Sequence, residues 1–352
     1  MTAAKAPYGR FFGSPLFGDR WPLAAVLMAA LLGACAPTIR APGKAINQPL
    51  LTGTDFHTPD GEILPVKSWA PENGKPKAVL LALHGFNDYS NFFDAPGTFL
   101  AAHAIQSYAY DQRGFGASPG AGLWAGVQAM TGDLGTMIGL IRERHPETPL
   151  FLLGDSMGGA VILVAGGNGG LANVDGVILA APAVWGRATM PWYQRVALWI
   201  GVRLAPSLKL TGEGLGITPS DNREMLLALG RDPLVIKATR IDAMYGLTNL
   251  MDAALDKAAD FTLPALILYG QRDEIIPKMP TRMMLARMPE AARKTRRIAV
   301  YEDGYHMLLR DLKAEVPLAD IVGWIADPLR PLTSGADDDA EPRLAGKRGM
   351  TK

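Results

Sequence analysis

The chain has 352 residues, 48% hydrophobic and 20% charged, the balance of a globular protein with room for one large domain or two small ones. Its formal net charge is +1 and its basic residues are scattered, apart from a short run at Arg293, Lys294, Arg296 and Arg297, so nothing points to a nucleic-acid partner. A single cysteine, Cys35, excludes an intrachain disulfide and a cysteine-built zinc site.

Residues 21–34, WPLAAVLMAALLGA, form an apolar run preceded by Arg10 and Arg20. At 14 residues it is short for a membrane span but has the length and charge pattern of a secretory signal. Leu32-Gly33-Ala34-Cys35 resembles a bacterial lipobox, in which small residues precede a cysteine that is lipidated and becomes the mature N-terminus. Residues 1–34 are therefore expected to be a signal peptide, with Cys35 carrying a lipid anchor to the membrane. Ordinary cleavage at Ala34-Cys35-Ala36 would leave Pro37 after the cut, where an imide nitrogen disfavours proteolysis; an uncleaved anchor is a further reading. Ala36 stands where aspartate signals inner-membrane retention, which points to the cell envelope, at the outer membrane facing the periplasm.

From about residue 50, short apolar strands alternate with longer helical stretches, the signature of an α/β sheet spanning residues 46–325. Asp55 to Trp69, with the turn Pro59-Asp60-Gly61, predicts an opening hairpin. Lys77 to His84 is a continuous apolar run, as expected of a strand buried on both faces. Similar runs follow at Ser107 to Asp111, Pro149 to Leu153, Val174 to Ala181, Pro264 to Tyr269 and Arg297 to Tyr301. Helical stretches lie between them, among them Gly122 to Glu143 and Met157 to Ala165. The pattern predicts a mostly parallel sheet flanked by helices. It breaks between about 183 and 260, where helical periodicity without a clear strand predicts an inserted helical cap. Trp192 to Leu204 spreads apolar residues over most of a helix; packing onto the core is the first reading, an acyl-chain tunnel or a membrane-facing surface the second. Residues 327–352, rich in Pro, Gly, Asp and Arg, predict a disordered tail.

Gly154-Asp155-Ser156-Met157-Gly158-Gly159 lies between a strand and an apolar helix. A serine on such a turn exposes its hydroxyl at the carboxyl edge of the sheet, and the following helix directs its N-terminal dipole at a developing oxyanion. A hydroxyl needs a base. In folds with this turn the order is serine, acid, histidine, and of His57, His84, His103, His145 and His306 only the last follows Ser156. The acid belongs in a loop after a strand between them. Gly270-Gln271-Arg272-Asp273-Glu274 is that loop, and Asp273 is expected to orient His306, with Glu274 facing away and Asp303 too near the histidine. The oxyanion hole is expected from the N–H groups of Met157 and of Phe86, in His84-Gly85-Phe86; His84 shapes that loop rather than moving protons.

Together these segments, with Tyr110-Asp111-Gln112-Arg113-Gly114-Phe115-Gly116-Ala117-Ser118, Tyr269-Gly270-Gln271-Arg272-Asp273 and Tyr305-His306, resemble the monoacylglycerol lipase and lysophospholipase group of α/β-hydrolases, of the serine aminopeptidase S33-like (Hydrolase_4) kind. The resemblance spans residues 50 to 325 and implies the α/β-hydrolase fold, a Ser156–His306–Asp273 triad, an oxyanion hole at Phe86 and Met157, and no cofactor or metal. It casts Asp111 and Arg113 as a structural pair fixing their turn. Asp155 departs from the group, many of whose members carry histidine before the nucleophile. The expected activity is hydrolysis of lipid-like carboxylic esters, monoacylglycerols or lysophospholipids, through an acyl-enzyme. A peptidase or amidase would require clustered cap acids, and Glu213, Asp221, Glu224 and Asp232 are dispersed; a catalytically silent envelope-binding lipoprotein is the third reading.

Overall fold

Strands form where the sequence places uninterrupted apolar runs, and the helices between them cover both faces of one sheet. The computed structural model describes residues 1–2, 37–72 and 74–346, so the predicted signal segment and Cys35 lie outside the described residues. The chain opens with β1 (Leu50–Leu51), β2 (Asp55–His57) and β3 (Ile63–Trp69), then alternates β4 (Ala78–Leu83), α1 (Asp94–Ala102), β5 (Ile105–Tyr110), α2 (Val127–Arg144), β6 (Leu150–Asp155), α3 (Met157–Gly167) and β7 (Gly176–Ala180). After β7 come α4 (Trp192–Leu204), β8 (Lys209–Thr211), α5 (Arg223–Arg231), β9 (Ala238–Arg240) and α6 (Ile241–Lys257). The chain then returns to the sheet through β10 (Ala265–Gly270), α7 (Lys278–Arg287), β11 (Arg296–Tyr301), α8 (Glu315–Ala326) and α9 (Ala340–Leu344).

The strands lie in the order β1-β2-β3-β5-β4-β6-β7-β10-β11. From β5 to β11 they run parallel, and β3 pairs antiparallel with β5. The predicted hairpin is present, with Phe56 opposite Leu64. Because side chains alternate across a strand, Val79, Leu81 and Leu83 of β4 join one core while Leu80 and Ala82 join the other. The first core is closed by α2, α3 and α6, the second by α1 and α8, where Trp324 is buried against Phe151.

Five expectations need correction, four of them in the arrangement of the elements. The predicted cap contains strand after all: β8 and β9 form a small antiparallel ribbon, with Leu210 opposite Thr239. Its last helix, α6, buries Leu250, Met251 and Ala254 in the same core as α3, and so belongs to the layer on the sheet. On α4 only Val202 is buried, so packing onto the core does not account for this helix. Residues 327–346 are not a disordered tail. Leu332 and Ala336 enter one core, Ala340 and Leu344 the other, and the Val300 N–H donates to the Ala336 carbonyl at 2.8 Å. The tail lies along β11, the last strand of the sheet, and covers backbone that would otherwise be an open edge. Composition hid this, because its few apolar residues are spaced for a winding segment rather than for a helix or strand.

Asp111 and Arg113 are not paired with each other. Asp111 accepts the N–H groups of Ser90 and Ala117 at 2.9 and 2.8 Å. Arg113 instead grips Asp60 through two 2.7 Å bonds and Asp133 at 2.6 and 2.8 Å, tying the hairpin turn to α2. The guanidinium bonds to Asp60 hold that carboxyl well below the usual carboxylate range. All three side chains are 6% exposed, so removing the cation leaves two buried carboxylates uncompensated. Arg113→Met is expected to destabilise the protein by about 3–5 kcal/mol, read as a lower urea midpoint, with part of the loss recovered when Asp60 and Asp133 are also made asparagine.

Candidate active site

Ser156 sits between the end of β6 and the first residue of α3 with φ 49° and ψ −106°, a conformation that a side-chain-bearing residue adopts only under constraint. Its N–H donates to the Ala180 carbonyl at 2.9 Å, and its carbonyl accepts from Ala183 at 2.9 Å. The glycines around it are needed for close approach. A Cβ on Gly154 would lie 2.4 Å from the Gly159 nitrogen, and one on Gly158 would lie 2.3 Å from the Leu83 carbonyl oxygen. The backbone of α3 is thereby drawn against β4 and β6.

Asp273 and His306 come from the loops after β10 and β11, neighbouring parallel strands whose carboxyl ends lie side by side. His306 Nδ1 donates to Asp273 Oδ2 at 2.9 Å. The other carboxylate oxygen accepts the N–H groups of Ile275 and Ile276 at 2.8 and 2.9 Å, which fixes the carboxylate plane. The two side chains are 6% and 0% exposed. Burial favours the neutral imidazole, but the charge and hydrogen bond of Asp273, joined by the charge of Asp155, outweigh it and raise the His306 pKa above the ordinary histidine value. Among the described residues no hydrogen bond joins Ser156 Oγ to His306, an open arrangement common before substrate binds. Glu274 turns the other way and accepts the Thr218 N–H at 2.7 Å, while Asp303 pairs with Arg272 and Lys313.

The loop after β4 runs beside the serine; a Cβ on Gly85 would lie 3.5 Å from Ser156 Cβ. The N–H groups of Phe86 and Met157 meet no acceptor among the described residues. Both are free to bind an oxyanion. His84 is buried, accepts the Gln112 N–H on Nε2 at 2.9 Å and approaches the Gly85 carbonyl with Nδ1 at 2.8 Å, so both nitrogens are used in holding the loop. Burial pushes its pKa down, consistent with a neutral ring. His57, His103 and His145 lie on β2 and at the ends of α1 and α2.

Three polar residues gather near the serine turn, of which the sequence marks only Asp155, as the residue before the nucleophile, and not Asp88 or Arg310. Asp155 is buried, and burial pushes its carboxyl up to about 6. Asp88 and Arg310 form an ion pair at 2.8 Å with side chains 8% and 10% exposed. Their positions, three residues after Gly85 and four after His306, make sense only once the two loops are seen to meet. Among the described residues no group of three His, Cys, Asp or Glu is placed to hold a metal ion. Surface cavities of 550 Å³ between α7 and α9 and of 380 Å³ beside α4 are not lined by Ser156, Asp273 or His306.

The arrangement supplies a strained serine, an oriented buried imidazole and two N–H donors with no acceptor among the described residues, the parts needed for acyl transfer. Residues 74–313 match the family Hydrolase_4, described as serine aminopeptidase, S33. The chain is 26% identical over 274 residues to a monoacylglycerol lipase of Mycolicibacterium smegmatis, covering 74% of this chain and 92% of that protein. It is 29% identical to a putative monoglyceride lipase of Schizosaccharomyces pombe, covering 75% and 71%. Among solved structures, a soluble variant of the monoglyceride lipase from Saccharomyces cerevisiae superposes with a TM-score of 0.66 at 20% identity, covering 82% of this chain and 98% of that one. At that identity the likeness speaks for the fold.

Proposed function

The chain belongs to the Hydrolase_4 (serine aminopeptidase, S33) family of α/β-hydrolases, and on that footing we propose that this carboxylic ester hydrolase acts on monoacylglycerols or lysophospholipids through Ser156, His306 and Asp273. The observation that carries the reading is the 2.9 Å bond from His306 to the buried Asp273, held beside the strained turn of Ser156. His306 Nε2 takes the Ser156 proton as Oγ attacks the ester carbonyl carbon. The carbonyl electron pair moves onto oxygen, where the N–H groups of Phe86 and Met157 meet it. Collapse of the intermediate expels the alcohol, which takes the proton from His306. A water deprotonated by the same imidazole then releases the fatty acid and restores Ser156. Asp273 keeps the proton on Nδ1 and stabilises the imidazolium throughout.

A peptidase would need carboxylates gathered to hold a substrate amine. The cap acids are separately employed or exposed: Asp221 accepts the Leu312 N–H, Asp232 accepts the Tyr89 hydroxyl, and Glu213 and Glu224 face solvent. The test is a panel of p-nitrophenyl esters from acetyl to palmitoyl, monoacylglycerols, lysophospholipids and aminoacyl anilides, alongside fluorophosphonate labelling. Labelling of Ser156 with preference for medium or long acyl chains supports the reading. Anilide cleavage without ester cleavage overturns the ester assignment, and absence of labelling supports a binding role. Residues 21–36 support a lipid anchor at Cys35 in the cell envelope, tested by palmitate incorporation that Cys35→Ser abolishes.

The raised His306 pKa has a sign. The base must be neutral, so kcat/KM is expected to fall as pH drops through a value above the ordinary 6.5. Asp155→Asn removes one of the charges that stabilise the imidazolium, and the acid limb should move to lower pH. A limb that stays in place in this variant assigns it to another group.

A further inference from the structure

The loop that carries His306 is held from outside the sheet. One short stretch of the cap, residues 218–222 between β8 and α5, grips the backbone on both sides of the histidine. The Met307 N–H donates to the Pro219 carbonyl at 3.0 Å. The Tyr305 N–H donates to Asp311 Oδ2 at 2.8 Å, and Asp311 Oδ1 accepts the Ser220 hydroxyl at 2.6 Å. Ser220 and Asp311 are buried, so a bond lost here leaves a polar group without water to replace its partner. Further along the same loop, Asn222 Nδ2 donates to the Arg310 carbonyl at 3.0 Å and the Leu312 N–H donates to Asp221 Oδ1 at 2.8 Å. The stretch is itself anchored, since Asn222 donates its N–H to Ser220 Oγ at 3.1 Å and caps α5 by accepting the Met225 N–H at 3.1 Å. At its other end the Thr218 N–H donates to Glu274, next in sequence to Asp273, at 2.7 Å.

We propose that Ser220 and Asp311 are positioning residues, through which the cap stretch 218–222 holds the His306 ring at the height where it can take the Ser156 proton. This role rests on the Ser156–His306–Asp273 assignment and is independent of which ester is cleaved. The single bond from Nδ1 to Asp273 directs the ring but does not fix its distance from Ser156. Holding the N–H groups of Tyr305 and Met307 removes that freedom, because the two peptide units flanking His306 can no longer shift. One stretch touches both the Asp273 loop and the His306 loop, so the two keep their spacing. The cap thereby helps to assemble the base as well as covering the site. Asp311 acts through its two hydrogen bonds, whereas the charges that raise the His306 pKa are those of Asp273 and Asp155.

In the full chain, Ser220→Ala is expected to lower kcat for a p-nitrophenyl ester by roughly 10- to 100-fold with KM unchanged, the cost of a base displaced by about an ångström. A thermal melt of each variant separates loss of rate from loss of folded protein. Ser220→Thr keeps the hydroxyl and should recover most of the rate. Ser220→Cys, which keeps the volume but offers only a weak S–H donor, carries the same expectation as Ser220→Ala should that variant fold poorly. Asp311→Asn keeps both hydrogen bonds, its amide oxygen accepting from Tyr305 and its NH₂ donating to Ser220 Oγ, so it should keep kcat and the acid limb of the pH profile. Proton NMR adds a readout independent of turnover: the downfield His306 Nδ1–H resonance should shift or broaden in Ser220→Ala and return in Ser220→Thr. Parental kcat in Ser220→Ala and Ser220→Cys overturns the proposal, and so does a rise in KM alone, which assigns Ser220 to substrate binding. A displaced acid limb with an equal loss of kcat in Asp311→Asn overturns it in favour of a charge effect. Failure of the triad assignment itself shows differently, as full activity in Ser156→Ala.

Discussion

Ser156→Ala should lower kcat/KM for a p-nitrophenyl ester by about four to six orders of magnitude while leaving the urea midpoint close to that of the parent protein. The variant keeps the oxyanion donors of Phe86 and Met157, so a small rate above the uncatalysed reaction should persist. It also keeps the backbone bonds from Ser156 to Ala180 and Ala183, which do not involve the side chain. A positive φ costs alanine about what it costs serine, so the turn should survive. Loss of less than tenfold would remove Ser156 from the nucleophile role.

Asp273→Asn should cost about 10⁴-fold in kcat/KM, and the reason lies in the hydrogen bonds around the carboxylate. One oxygen accepts the N–H groups of Ile275 and Ile276, so in the variant the amide oxygen takes that place and the NH₂ faces His306. Nδ1 must then act as acceptor. The imidazole proton moves to Nε2, the atom that has to receive the serine proton, and the base is blocked without any change in shape. A solvent-exposed acid would allow the ring to turn over, but Asp273 is fully buried and His306 nearly so. The check is steady-state kinetics with the melting temperature as control for folding. Activity within tenfold of the parent would move the orienting role elsewhere.

The prediction for Arg113 and that for Asp273 differ in kind. Arg113 follows the carboxyl end of β5 and joins the hairpin turn to α2, and its loss acts on stability. Asp273 touches the reacting histidine, and its loss acts on the proton inventory of one ring. The acid limb of the pH profile connects the two levels, because the charges that set it, Asp273 and Asp155, are buried where water does not screen them.

Much of the site was legible because the chemistry is carried by local pattern. A strand, a crowded glycine turn with a serine and an apolar helix are what hold the strained conformation seen at Ser156, with no room for a Cβ at Gly154 or Gly158. Chain order singled out His306 and placed Asp273 in a loop after a strand, and parallel pairing of β10 with β11 is enough to set those two loops together. Both core faces were readable too, since runs such as AVLLAL in β4 have no polar side to turn outward.

What remained hidden depends on contacts between residues far apart in the chain. The partner of Arg113 was misread because Asp111 is its neighbour in sequence, whereas Asp60 and Asp133 reach it only after the hairpin and α2 have packed. The ion pair of Asp88 with Arg310 exists only where two loops meet. The tail looked unstructured because its apolar residues are few, yet an open sheet edge gives Leu332, Ala336, Ala340 and Leu344 somewhere to be buried. For α4 the sequence showed that apolar residues occupy most of the helix, and only the fold decided which of them are left facing outward. The sequence by itself therefore determined the strands, the serine turn and the order of the reacting groups, which are local or topological properties. Tertiary structure decided which charges pair, which edge is covered and which apolar face stays open, because each depends on what a distant segment brings to the same place.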